Sequence, residues 1–226
     1  TIDEDSGQTP NSNDPYIYVD KFTDRLVKFD MHALASMFVE YSDDDGDSWS
    51  IPYPVEGYYV TQDHQSIASM PHPDAIVGEV VYVYCINTGS PAAGPQCSRS
   101  HTGGQTWDVQ RIGYPVGTPQ CSGLHGHVAG GIDQTIYRGN PSCDGPAVYR
   151  SLDGGDTWTE HTITTEIGMQ QGWHAHEVAT AVDDGGNVHA TWIGNDLMPW
   201  YAYSRDQGDT WSDPMMVAAP GVQETG

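Results

Sequence analysis

The chain has 226 residues, enough to bury a substantial core, and sets 8 Lys+Arg against 31 Asp+Glu for a formal net charge of −23. Such a surface repels nucleic acid, anionic lipid and polyanionic glycans and attracts cations, so nucleic acid is excluded as a partner. No apolar run approaches ~18 residues, so no membrane span is expected. A hydrophobic content of 37%, with 26 Gly and 15 Pro, suits short strands joined by many turns.

In chain order, residues 1–13 are acidic and polar and read as a flexible leader. No signal peptide stands at Thr1, as expected of a mature or trimmed product. From Asp14 the pattern turns strand-like and falls into four groups, at about 14–60, 63–115, 125–165 and 174–219. The first group has strands at Tyr16–Val19, Arg25–Phe29 and Ala35–Tyr41, then from Ser50 to about Val60. The second has Ile67–Met70, a proline-punctuated turn over Pro71–Gly78, Glu79–Cys85, Cys97–Ser100 and Trp107–Ile112. The third runs from His127 through Ile136–Arg138 and Ala147–Tyr149 to Trp158–Ile163. The fourth takes Glu177–Val182, a turn at 183–186, Val188–Ile193, Tyr201–Ser204 and Trp211–Val217. Helical periodicity is absent, so the chain reads as all-β.

Between the third and fourth strands of every group stands one octad, Ser-x-Asp-x-Gly-x-Thr-Trp. It occurs at Ser151–Trp158, at Ser42–Trp49 with Ser for Thr, at Ser204–Trp211, and at Ser100–Trp107 with Thr102 in the Asp position. The starts lie 58, 51 and 53 residues apart, a spacing that marks a repeat architecture. The octad makes sense as a tight hairpin turn. Asp44, Asp153 or Asp206 accepts backbone N–H bonds, the Gly supplies positive φ, and the hydroxyls tie the flanks together. Trp49, Trp107, Trp158 and Trp211 open the next strand and pack as core. The acidic copy over 43–47 lacks EF-hand spacing and reads as a turn, not a calcium loop.

These four copies resemble the Asp-box (BNR) repeat of the sialidase-like β-propellers. The resemblance covers nearly the whole chain. It implies a β-propeller of four-stranded antiparallel blades, four of them here. Rings of that family usually close with six or more, so these blades are expected to belong to a six- or seven-bladed ring in a longer chain; a small ring is the alternative.

Cys85 and Cys97 flank residues 86–96 and can face each other across a ladder, while Cys121 and Cys143 flank the third group's inner strands. An even count without CxxC motifs argues for two disulfides and an extracellular or cell-surface setting. Four free thiols, or a zinc site around Cys121, His125 and His127, are the alternatives.

A propeller blade places the octads on one rim, which leaves the opposite rim for a site. Aligning first strands on Asp20, Met70, Asp133 and Asp183 puts Asp14, His64, His127 and Glu177 six residues upstream, at the mouth of the axis. His125, His174, His176 and Asp63 thicken this set. His64, His125, His127, His176 and Glu177 are candidate ligands for a divalent metal ion, and equally candidates for acid–base work or a merely wet channel mouth. Trp200, Trp173 and Tyr201 are candidate stacking surfaces for sugar rings, with Asp144, Asn195 and Asp196 nearby as hydrogen-bonding groups. A hydrolytic carboxylate pair would have to come from Asp14 and Glu177.

The resemblance also implies a test. Sialidases of this fold hold the substrate carboxylate with three arginines and use a Tyr–Glu nucleophile pair with an Asp acid/base. This chain has six arginines and no Arg-Ile-Pro motif. Arg99, Arg150 and Arg205 adjoin octads, Arg25 begins a second strand, Arg111 sits on an outer strand, and only Arg138 is placed to reach the opposite rim. No catalytic residue is assigned. The sequence therefore reads as a secreted propeller segment that binds a glycan, metal or protein partner through Asp14, His64, His127, Arg138, His174, His176, Glu177 and Trp200. The alternative is a sialidase-type or other glycoside hydrolase with its remaining catalytic residues outside this segment.

Overall fold

The computed structural model describes residues 16–32, 36–55, 62–88, 96–118, 124–141, 145–171 and 177–218. They form sixteen strands in four four-stranded antiparallel sheets, each in sequential order, with no helix among them. The chain divides into two compact units, Thr1–Gly113 and Tyr114–Gly226, each holding two sheets.

In the first unit, sheet one is β1 (Tyr16–Val19), β2 (Leu26–His32), β3 (Ser36–Ser42) and β4 (Tyr53–Val55). Sheet two is β5 (Gln62–Pro71), β6 (Val80–Thr88), β7 (Gln96–Ser100) and β8 (Arg111–Ile112). Their shared core joins Val27, Phe29 and Val39 of sheet one to Ile67, Tyr82, Tyr84 and Ile86 of sheet two, with Tyr16, Tyr18, Tyr41 and Trp107 at its margin. The alternation along β2 (Val27 and Phe29 in, on one face) is what makes this interface possible. At its octad end, the buried Asp20 carboxylate accepts from Ser69 Oγ at 2.6 Å and Tyr82 Oη at 2.8 Å, tying the sheets together.

In the second unit, sheet three is β9 (Val128–Gly130), β10 (Ile136–Gly139), β11 (Ala147–Ser151) and β12 (Thr159–Thr162). Sheet four is β13 (Ala179–Val182), β14 (Val188–Ile193), β15 (Pro199–Ser204) and β16 (Met215–Met216). Tyr137 and Val148 of sheet three pack against Val188, Ala190, Trp192 and Ala202 of sheet four.

The inner strands stand where the sequence puts them, within a few residues. The outer strands are shorter than expected, and only β12 begins directly after its Trp. Pro52, Pro54 and Pro214 deny ladder donors beside two of these edges, which holds pairing to short stretches. Cys85 and Cys97 are cross-strand partners joined by a disulfide, worth roughly 2–4 kcal/mol through the loop it closes. Cys121 and Cys143 lie outside the described residues.

Each octad begins on the last residue of a third strand: Ser42, Ser100, Ser151 or Ser204. In the third copy, Ser151 Oγ donates to Asp153 at 2.7 Å and accepts from Gly155 N at 2.7 Å. Asp153 in turn accepts from Thr157 N at 2.8 Å and Thr157 Oγ1 at 2.6 Å. The first and fourth copies repeat these bonds through Asp44 and Asp206. Gly46, Gly104, Gly155 and Gly208 adopt φ of 91°, 92°, 95° and 92°, the left-handed conformation that glycine takes without strain. The Asp reaches the backbone four residues on, while the Ser hydroxyl accepts from the N–H groups of the Asp itself and of the Gly.

Candidate functional site: a polar rim opposite the octads

Within the second unit, residues far apart in sequence meet on the rim opposite the octads. Val128 pairs with Arg138, whereas Ile136 pairs with Ser151 at the octad end, so Arg138 points its strand position away from the octad. Gly126 N donates to Gly139 O at 3.0 Å and Val178 N to Asn140 O at 3.1 Å, bringing 125–127, 138–140 and 177–178 side by side. Two glycines permit this approach. A Cβ on Gly139 would stand 1.7 Å from the Val178 carbonyl oxygen, and one on Gly126 2.2 Å from it. Thr180 Oγ1 donates to the His127 carbonyl at 3.2 Å, fixing the third strand of chain in the set.

Arg138 is fully buried. Its Nε donates to Gly126 O at 3.0 Å, while Nη1 and Nη2 have no hydrogen-bond partner among the described residues. Burial pulls its pKa down to about 9, opposed by Tyr149 and Glu177, so it is still a cation at neutral pH. Desolvating a guanidinium that is hydrogen-bonded through Nε alone is costly, so its retention with spare donors calls for a cause. His125, also buried, lies between Tyr114 and Tyr149, with ring centroids 6.1 and 5.7 Å away. Burial, then the Glu160 charge, raises the Tyr149 phenol, which keeps it a neutral donor.

The strand register corrects the alignment made from sequence. Gly130 pairs with Ile136 as Val182 pairs with Val188, and Gly131 N–Thr135 O matches Asp183 N–Asn187 O. Gly131, not Asp133, therefore corresponds to Asp183, and His125 stands where Glu177 stands. Asp133 misled because it too accepts turn bonds, from Thr135 N at 2.9 Å. In sheet two, Pro71 pairs with Val80 at the turn, so the counterpart is Ser66. His64 lies in the irregular stretch between Asp63 and Ser66 with φ of 53°, held at the far end from the octad. Positive φ is uncommon for a residue with a side chain, though His takes it more readily than most.

Trp200 is half-buried against the second unit's core, and its Nε1 donates to Asp196 Oδ1 at 3.1 Å. Asp14, Trp173, His174 and His176 lie outside the described residues, as does Asp144. Among the described residues, no group of three or more His, Cys, Asp or Glu side chains is arranged to hold a metal ion. The second unit thus brings His125, His127, Arg138 and Glu177 onto one rim, and His64 occupies the corresponding end of sheet two in the first unit. Sequence reasoning missed Tyr114, Tyr149 and Asn140; the only available signal was the pair Gly126 and Gly139, which carry no turn signature.

The four sheets, each with an octad between its third and fourth strands, define a sialidase-like β-propeller fold. Solved structures share it. NanB sialidase from Streptococcus pneumoniae superposes with a TM-score of 0.64 at 12% identity, over 98% of this chain and 54% of that one. A protein of unknown function from Dyadobacter fermentans gives 0.57 at 14% identity, over 92% and 69%. The Hadza microbial sialidase Hz136 gives 0.57 at 17% identity, over 88% and 45%. This chain therefore spans about half the length of these two sialidases. No protein-family model matches it, and no curated protein does.

Proposed function

We propose that this chain is the ligand-binding part of a secreted, sialidase-like propeller, and that it takes a glycan on the rim opposite the octads. One observation carries this reading: Arg138 is buried there, and its two terminal nitrogens find no acceptor among the described residues. An oxygen-rich ligand would supply the missing acceptors, and planar acceptors suit the guanidinium fork best. Tyr149 and His125 line the same place, and Trp200 offers an aromatic edge on the same rim of the neighbouring sheet. Because Arg138 is covered, the ligand enters only when the side chains above it part, so association is slower than a free encounter. The cross-strand disulfide supports an oxidising, extracellular setting.

The similarity to sialidases favours testing a second reading, a glycoside hydrolase completed by residues elsewhere. The other five arginines weigh against an arginine trio in this segment. Arg25 and Arg150 are bound to octads, Arg99 faces Asp108, Arg205 lies over Tyr203, and Arg111 sits on the outer β8. A glycan array read alongside a fluorogenic sialoside assay separates the two. Binding without turnover, lost in Arg138→Met, is expected; turnover by this chain would replace the first reading with the second. Metal analysis of the purified chain settles whether His64, His125, His127, His176 and Glu177 hold zinc or copper near stoichiometry.

A further inference from the structure

Within the second unit, sheet four turns Val188, Ala190, Trp192 and Ala202 toward sheet three. Trp200 is the direct cross-strand partner of Trp192, so both indoles leave the sheet side by side on this face. They stand at the end away from the octad, one step from the pair Ile193 and Pro199. Tyr201 falls on the other face of sheet four, with its Oη 2.7 Å from His189 Nδ1. Arg138 is separate as well. It pairs with Tyr149, whereas the face of sheet three that meets sheet four carries Tyr137 and Val148.

The two indoles are held in different ways. Trp200 Nε1 donates to both oxygens of Asp196, at 3.1 and 3.3 Å. The same edge of the ring lies on Gly194, where a Cβ would stand 2.8 Å from both Cδ1 and Nε1. Gly194 N donates to Met198 O at 2.9 Å and closes the turn that carries Asp196. The half-buried ring is thus oriented before any ligand arrives. Trp192 is 2% exposed, and its Nε1 has no partner among the described residues. Trp107 and Trp211 give the same donor to the Gly104 and Gly208 carbonyls, at 3.0 and 3.1 Å. Trp158 shares the condition of Trp192, but inside an octad on the opposite rim. Beside the pair, Gln170 N donates to Ile193 O at 3.0 Å and Asn195 N to Gly168 O at 2.9 Å, which brings half-buried Gln170 and exposed Asn195 to this end. Residues 167–171 and 192–200 contain no Lys, Arg or His, and their one acid, Asp196, is engaged by Trp200 and by Met198 N.

We infer that Trp200 and Trp192 form a second subsite, apart from Arg138, that takes a neutral pyranose unit. The C–H face of the sugar stacks on the Trp200 ring, and a ring or hydroxyl oxygen accepts from Trp192 Nε1. With no cation to hold an anionic group, the subsite selects an uncharged sugar, unlike the place around Arg138. The inference rests on the glycan reading above and adds the chemical class of one unit of the ligand.

Indole 1H–15N spectra of the 226-residue chain, assigned with Trp192→Phe and Trp200→Leu, test it. Methyl β-galactoside and methyl β-glucoside, titrated to ~10 mM, fill a site of about millimolar affinity. At least one should move the Trp192 and Trp200 signals and leave those of Trp49, Trp107, Trp158 and Trp211 in place. Trp192→Phe keeps an aromatic ring and removes the donor, and should weaken binding about three- to tenfold. Trp200→Leu removes the platform and should weaken it at least about tenfold. Unmoved octad indoles report that each variant is folded. If neither glycoside moves either signal, while array glycans bind through Arg138, the subsite is overturned and the glycan reading stands. If the two signals move but Arg138→Met leaves array binding untouched, the subsite stands and the role of Arg138 falls. A blank array with both signals unmoved ends both.

Discussion

The two rims of the second unit both carry polar residues, but these are satisfied in opposite ways. On the octad rim, both Asp153 oxygens have partners within the same eight residues, Ser151 and Thr157, at 2.6–2.8 Å. On the other rim, Arg138 uses one donor on Gly126 O, and its terminal pair finds no partner among the described residues. The octad closes through neighbours in sequence, so eight residues suffice to specify it. The far rim is assembled from 125–127, 138–140 and 177–178, and its polar groups are placed by backbone packing rather than by one another. A rim that satisfies itself is scaffold. A rim with spare donors has room for a ligand.

Stability measurements can break that distinction. Asp153→Ala removes the acceptor for two Thr157 donors and should cost about 2–3 kcal/mol in urea melts. Acid should act on the same rim. Hydrogen bonds from Thr210, then Ser204, hold Asp206 down at about 2, and equivalent bonds lower Asp44 and Asp153, though burial of Asp153 opposes its shift. A carboxylate with a depressed folded pKa stabilises above its unfolded value near 3.9 and ceases to do so as pH falls through the folded value. Melting temperature should therefore drop between about pH 4 and pH 2, and Asp153→Ala should flatten that drop. Arg138→Met is the counterpart. Exchanging an under-bonded buried cation for a chain of similar length should change stability by no more than about 1 kcal/mol, in either direction, while abolishing glycan binding. If it cost as much as Asp153→Ala, Arg138 would be scaffold too.

Much of the scaffold was legible in sequence because its determinants are local. The octad names its own turn, and the apolar runs on either side, such as Val80–Ile86, name the strands. The far rim was legible only in part. His127, Arg138 and Glu177 are on it, but their mutual register was not, since Asp133 and Asp183 look alike in sequence while belonging to different turn positions. Tyr114 and Tyr149 gave no signal because their role depends on sitting either side of His125, a contact fixed only by folding.

The smallest expected effect tests the octad against itself. In the second copy, Thr102 replaces Asp, and its one hydroxyl oxygen faces both Thr106 N at 2.9 Å and Thr106 Oγ1 at 2.7 Å. Its bond to Ser100 Oγ is stretched to 3.4 Å, against 2.7 Å for Ser42–Asp44 and Ser151–Asp153. Thr102→Asp would give each donor its own oxygen and shorten the Ser100 bond. The gain should be about 0.5–1 kcal/mol at neutral pH, trimmed by adding charge to a chain already at −23. It should fade as pH drops toward about 2 and be gone below it, as an octad carboxylate such as Asp206 takes up its proton there. A gain that persists in acid would mean that side-chain volume, not the second acceptor oxygen, sets octad stability, and the rim would lose its claim to be self-satisfied through charge-assisted bonds.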